Sequence, residues 1–261
     1  MMRESLAPEK LADATAVVID TFLATTTLLT IFENGASRVF PVDSVEEASE
    51  VGASLPRTPI YGGEQDALNI EGYDCGPLPE EYPPELVTGR DVIFVTTNGT
   101  RALSAASTAK ELLVGCLRNA PAVAEHIRRT DPEKLYIICA GSAGNFTLED
   151  FLGASAIISR LDTGGANAGA KLNDAAWLAL QMSERLNGDT VGALRESRAG
   201  RWFTRYDRED TLQFVADVGA SGLVPAVRDG RLLRLPDDME DPRAASGRRN
   251  EGKGPDAHTN R

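Results

Sequence analysis

Three stretches of this chain share one pattern, in which an apolar run ends in small hydroxyl, amide or Gly residues and then passes into an Ala/Leu-rich segment. They read AVVIDTFLATTTLLTIFENG (16–35), DVIFVTTNGTRALSAA (91–106) and KLYIICAGSAGNFTLEDFLGASAIISRL (134–161). A short apolar run bounded by turn residues has the character of a buried strand, and the segment after it has helical spacing. Each stretch is therefore expected to be strand, tight turn and helix. Shorter strands are expected at 38–42 and 58–61, with helices at 45–54 and 120–129. Alternating strands and helices imply a sheet covered on both faces. The expected class is α/β: a three-layer α/β/α sandwich with a mixed sheet and room for two similar lobes.

Beyond position 161, a Gly/Ala/Asn segment at 164–170 is expected as a surface loop, followed by helices at 173–186, 192–202 and 209–218. Residues 223–235 form an expected closing hairpin that turns at Asp229-Gly230. From 237 to 261 acidic, polar and Gly residues dominate and no core can form, so the expectation is one domain over 1–236 and a disordered tail.

Charge narrows the function. With 39 acidic against 27 basic residues and a net charge of −12, the chain lacks the basic surface that nucleic acid demands. An acidic protein that binds an anion needs a local positive pocket, built from a metal, Arg or helix N-termini. Three Cys and two His are too few for a disulfide framework or a zinc site. No apolar run approaches the roughly 20 residues that span a bilayer. The first ten residues lack the order of an export signal, so a cytoplasmic location is expected. The expected partner is a small-molecule phosphate ester, with neither nucleic acid nor membrane, and a homo-oligomer is compatible with the chain.

In open α/β sheets, ligands gather beyond the carboxyl ends of the strands. Asp20 ends the first apolar run, and Thr25, Thr26 and Thr27 then open a helix, offering hydroxyls and backbone N–H groups to an anion; helix capping is the alternative. The TTNGT segment (96–100) puts Asn98, Gly99 and Thr100 in a loop that can approach a phosphate, with Arg101 adding charge; a plain surface turn is the alternative. GGEQDALNIEGYDCG (62–76) is an acidic loop whose Glu64 and Asp74 suit Mg2+, which prefers oxygen ligands. Cys139 is either a thiol acidified by a helix N-terminus or a buried small residue. Thr147-Leu148-Glu149-Asp150 has the form of a capping box, which assigns Asp150 to structure and leaves Glu149 open.

Taken in order, these pieces resemble the 2-phosphosulfolactate phosphatase (ComB) family, a Mg2+-dependent phosphatase class associated with coenzyme M biosynthesis. The resemblance is carried by VVIDTFLATTT (17–27), GGEQDALNIEGYDCGPLP (62–79), VTTNGTRAL (95–103), RNAPAVAEHI (118–127), ICAGSAGNFTLEDFLGA (138–154), NDAAWLAL (173–180) and LVPAVRDGRL (223–232). It implies metal-assisted hydrolysis in a pocket lined by the Asp20, Glu64 and Asn98 segments. Asp20 and Glu64 would be catalytic and, with Asp74, would hold the metal. Thr25, Thr26, Thr27, Asn98, Gly99, Thr100, Arg101 and Cys139 would line the substrate. Where the family reads Asp-x-x-Arg-Ala-Thr/Ser-Thr, this chain has Leu23 in place of the Arg. Where it reads Gly-Glu-Arg-Gly, this chain has Gly63-Glu64-Gln65-Asp66, and Pro77-Leu78 stands where Asn-Ser is usual. Two cations are missing. They motivate a second reading, an impaired or repurposed member that binds a small anionic metabolite.

Overall fold

The computed structural model describes residues 1–161, 171–186 and 188–235. The expected loop at 164–170 and the expected tail at 237–261 lie outside the described residues. In chain order the strands are β1 (Thr15–Ile19), β2 (Arg38–Val42), β3 (Ile60–Gln65), β4 (Leu68–Asn69), β5 (Asp91–Val95), β6 (Glu111–Gly115), β7 (Leu135–Cys139), β8 (Pro225–Arg228) and β9 (Arg231–Arg234). The helices are α1 (Thr25–Glu33), α2 (Val45–Ser54), α3 (Pro84–Val87), α4 (Gly99–Ala105), α5 (Ala120–Thr130), α6 (Leu148–Leu161), α7 (Asp174–Leu186), α8 (Thr190–Glu196), α9 (Arg198–Arg205) and α10 (Glu209–Ala216). Among the described residues, no helix is long and apolar enough to cross a membrane.

The strands form one mixed sheet in the order β4-β3-β5-β2-β9-β8-β6-β1-β7. Two parallel triplets, β3-β5-β2 and β6-β1-β7, are joined by the antiparallel β8-β9 hairpin. That hairpin touches each triplet at a single residue pair, Val39 with Leu232 and Leu113 with Ala226. It turns at Asp229 and Gly230, both at positive φ as a tight hairpin turn requires. The chain runs β1-α1-β2-α2-β3 and then repeats as β5-α4-β6-α5-β7. The leading strand of each run lies between the two later strands of the other run, so each lobe draws on both halves of the sequence.

Side-chain alternation splits the core. Ala16 and Val18 of β1 and Val92 and Phe94 of β5 face one layer, where they meet Leu28 and Ile31 of α1 and Ala102 and Leu103 of α4. Val17 and Ile19 point the other way, onto residues of α5, α6, α9 and α10, while Ile93 and Val95 meet Ala48 of α2. Strands buried on both faces explain why TAVVI and DVIFV are continuous apolar runs rather than alternating ones. In a flat sheet, β1 and β5 would stand about 24 Å apart, five spacings of about 4.8 Å. Yet Gly99, four residues past β5, packs against Asp20, one residue past β1. The sheet must curve around α1 and α4.

Two expectations need correction. The strand expected at 58–61 runs to Gln65, so Glu64 lies within β3 rather than on a loop. The strand is paired there with β4 through a turn at Asp66 and Ala67 (φ 55° and 63°), a left-handed pair that the missing Asn-Gly signal concealed. The helix expected at 192–202 is broken at Ser197, whose extended backbone ends α8 and whose hydroxyl caps α9 by accepting the Gly200 N–H at 2.8 Å.

Candidate active site

Strand register puts the key residues on one level. Ile19 pairs with Cys139 and Val95 with Gly63. The next positions, Asp20 beside Ala140 and Thr96 beside Glu64, lie just past the strand ends or at the last paired rung. By alternation they face the α1/α4 layer, as Ala16, Val18 and Ala140 do in one lobe and Ile60 does in the other. A Cβ on Gly99 would sit 2.8 Å from Asp20 Oδ2, so only Gly lets the α4 turn come this close. Asp20, Glu64 and the Asn98-Gly99 turn thus share one side of the sheet.

The threonines do a different job from the one expected. Thr25 Oγ1 donates to the Asp20 carbonyl (2.9 Å) and accepts the Asp20 N–H (3.1 Å). Thr26 Oγ1 donates to the Thr21 carbonyl and Thr27 Oγ1 to the Pro77 carbonyl, both at 2.7 Å. Thr100 Oγ1 likewise donates to the Thr96 carbonyl and accepts the Thr96 N–H. All four are buried. Because each hydroxyl has one proton, none of these four has a donor left for a substrate anion. They lock the turns instead. Asn98 differs: it is half-buried, and its side chain does not cap α4.

Two buried carboxylates staple the turns. Asp150, from α6, accepts the Thr21 N–H and the Gly141 N–H, each at 2.9 Å. Glu64 accepts the Thr97 N–H (2.6 Å), the Thr97 hydroxyl (2.9 Å) and the Ala67 N–H (2.6 Å). Thr21 and Thr97 are each the second residue past their strand, β1 and β5 respectively. Glu64, read from sequence as a catalytic metal ligand on a loop, is therefore first of all an organiser of the β5 turn.

Two other carboxylates are less engaged. Although Asp20 keeps some solvent contact, enclosure by protein pushes its carboxyl well above the usual range. The like charges of Asp150, Glu64 and Glu149 push it further, opposed by the Leu23 N–H. Glu149 is buried, and its Oε2 has no hydrogen-bond partner among the described residues. Burial raises Asp150 to about 7, with Glu149 adding to it against the two backbone N–H groups. Among the described residues, no group of three His, Cys, Asp or Glu side chains stands ready as a metal cage. An acidic, under-solvated cluster with an orphaned oxygen nevertheless fits a hard divalent cation, since Mg2+ takes one or two carboxylates and keeps waters for its other positions. Glu149 was the residue that sequence reasoning left open. Its signal is the acidic pair opening the helix of the third strand-turn-helix stretch.

Three candidates are engaged elsewhere in this structure. Asp74 is exposed and accepts the Tyr61 N–H (2.9 Å), three residues before Glu64 along β3, so it fastens the 70–75 loop rather than joining Asp20. Arg101 is exposed and its Nε points to the Asp43 carbonyl (3.4 Å). Cys139 faces the opposite side from Asp20, among Ile19 and Leu152, and burial pushes its thiol up to about 12. A thiol that stays protonated at neutral pH is no nucleophile.

Comparison with known proteins identifies the family. The family model for 2-phosphosulpholactate phosphatase matches residues 1–230. A protein of Symbiobacterium thermophilum named "Probable 2-phosphosulfolactate phosphatase" is 37% identical over 228 residues, covering 87% of this chain and 97% of the relative. Proteins of the same name from Deinococcus radiodurans and Clostridium acetobutylicum are 35% and 33% identical over 230 residues, each covering 88% of this chain and 94% and 96% of the relative. With nearly the whole described fold aligned in this way, the chain belongs to the 2-phosphosulfolactate phosphatase family.

Proposed function

We propose that this protein hydrolyses the phosphate monoester of a small polyanionic acid, with 2-phosphosulfolactate, the compound in its relatives' names, as the leading substrate. The observation that carries the reading is Asp20: a carboxylate with a raised pKa, one residue past β1, against the Gly99 turn and within the field of Glu149. Mg2+ would be held by Asp20 and Glu149, with Glu64 contributing charge. When bound it would neutralise phosphoryl oxygens and lower the barrier to attack by water. The Asn98 amide and the neighbouring backbone N–H groups would orient the phosphoryl oxygens. In the reaction a water oxygen bonds to phosphorus, the ester P–O bond breaks, and a proton passes to the departing alkoxide. Because a carboxylate that holds Mg2+ is ionised, Asp20 would act as a ligand, and the proton that reaches the alkoxide would come from the attacking water.

The test is phosphate release from 2-phospho-3-sulfolactate and from 2-phospholactate, with Mg2+ or with a chelator. Release that requires Mg2+ is the expected result. Equal release under chelation would remove the metal, and no release from any phosphate ester would remove the hydrolase reading.

A further inference from the structure

The strand ends offer little positive charge to a substrate with more than one anionic group. Position 23 is Leu, packed partly into the outer apolar cluster, and position 65 is an exposed Gln. Arg101 is turned toward Asp43. Among the described residues, the arginine whose hydrogen bonds reach the Asn98-Gly99 turn is Arg3: its Nη1 donates to the Asn98 carbonyl at 3.4 Å, and the side chain is 20% exposed.

Its position follows from strand register. Met2 forms a parallel bridge with Cys139, and the Cys139 N–H donates to the Met1 carbonyl (2.8 Å). The Met2 terminal methyl fills the space where a Cβ on Gly141 would be. Met2 is thus a short rung on the edge of β7, level with Cys139 and, one strand further, Ile19. Met2, Cys139 and Ile19 all face the outer cluster. Ala140 and Asp20, on the next level, face the α1/α4 layer, and Arg3, which opens a short 3-10 turn (Arg3–Ser5) after the Met2 rung, reaches the same layer through its bond to Asn98. Two interstrand spacings separate the backbones of Met2 and Ile19 by about 10 Å, and on the following level Ala140, beside Asp20, carries only a methyl group. The Asn98-Gly99 turn thus touches both groups, Gly99 packing against Asp20 and the Asn98 carbonyl accepting from Arg3. Glu4 holds the Arg3 fork from its far edge, accepting from Nε (3.1 Å) and Nη2 (2.7 Å).

We infer that Arg3 is a specificity-determining residue, which binds the non-transferred oxyanion of the substrate, a sulfonate or carboxylate, while the phosphoryl group lies at Asp20. The inference rests on the phosphatase reading above. A planar guanidinium presents paired donors to such a group, which Leu23 and Gln65 cannot do.

The experiment compares the full chain with Arg3→Gln, Arg3→Lys and Arg3→Gln combined with Leu23→Arg, all in Mg2+. Binding of 3-sulfolactate is measured by calorimetry, and kcat/KM is measured for 2-phospho-3-sulfolactate and for phenyl phosphate, which lacks a second anion. Arg3→Gln is expected to weaken 3-sulfolactate binding by about tenfold or more, the scale of a lost charged hydrogen-bond pair. The sulfonated ester should lose a similar factor through KM, with phenyl phosphate unchanged. Arg3→Lys should fall between, and Leu23→Arg should restore binding. Equal binding by parent and variant, no binding by the parent, or an equal loss with phenyl phosphate would each overturn the inference. If the parent cleaves no ester, the phosphatase reading falls by itself, and the calorimetric comparison still decides the role of Arg3. A melting curve for each variant guards against unfolding: should Arg3→Gln melt early, Arg3→Lys decides the matter by the same criteria.

Discussion

The turns past β1 and β5 are built on one frame and end in different chemistry. In each, the first residue past the strand, Asp20 or Thr96, gives its N–H to a threonine hydroxyl in the following helix and takes that hydroxyl's proton on its carbonyl. In each, the second residue, Thr21 or Thr97, gives its N–H to a buried carboxylate, Asp150 or Glu64. That carboxylate also holds a loop from the neighbouring strand, at Gly141 or Ala67. Both of those loops turn through a non-glycine residue at positive φ, Ala143 in one lobe and Ala67 in the other. The difference lies in the first position. At β5 it is Thr96, whose hydroxyl accepts the Thr100 N–H. At β1 it is Asp20, whose carboxylate is crowded by other acids. A repeated hydrogen-bonded frame supplies rigidity, and the one differing side chain is where the proposed reaction would take place.

Removing the charge at the odd position is the sharpest way to break this comparison. Asp20→Asn is expected to lower kcat by about a thousandfold, the scale of a lost acid–base or metal-holding group, yet to melt no lower than the parent because it relieves repulsion. A melting point that falls as far as in the staple variants would make Asp20 another structural group. The staples should behave oppositely. In Asp150→Asn or Glu64→Gln an NH2 group replaces an acceptor and leaves a buried N–H unpaired, which costs about 1–3 kcal/mol in denaturant titration. If only one of the two destabilises, the lobes are not equivalent.

The pH dependence sharpens the contrast next. Burial holds Asp150 at about 7, above the ordinary Asp value near 3.9, so the folded state favours the protonated form. Its contribution to stability is complete below about pH 4 and is lost as pH rises through about 7. Chelated protein should melt lower at pH 8 than at pH 5, and Asp150→Asn should flatten that slope. The smallest effect concerns the paired turns: Ala67→Gly and Ala143→Gly should each stabilise by about 0.5–1 kcal/mol by relieving left-handed strain, read as a shift in denaturant midpoint.

Much of the fold was legible because periodicity is local. The three strand-turn-helix stretches, the hairpin at Asp229-Gly230 and the place of Asn98-Gly99 just past a strand all rest on neighbours within a few positions. Glu64 was misread as a loop residue because its turn, Asp66-Ala67, carries no glycine. Thr25, Thr26, Thr27 and Thr100 read as anion donors because a sequence displays hydroxyls without showing which carbonyl takes their protons. Arg3 gave no signal at all, since its bearing on Asn98 comes from a single rung beside β7.

The sequence alone determined the class of fold, the three strand-turn-helix stretches and the closing hairpin, because each follows from hydrophobic spacing and turn chemistry over short windows, while β4 and β6 emerged only in the structure. Tertiary structure decided which acids serve as scaffold and which are left with unmet charge. The Thr21 N–H that engages Asp150 is 129 residues away along the chain, and the Thr97 groups that engage Glu64 are 33 away. Only folding brings such partners within reach, and a carboxylate that finds two or three of them differs physically from one that is buried without them.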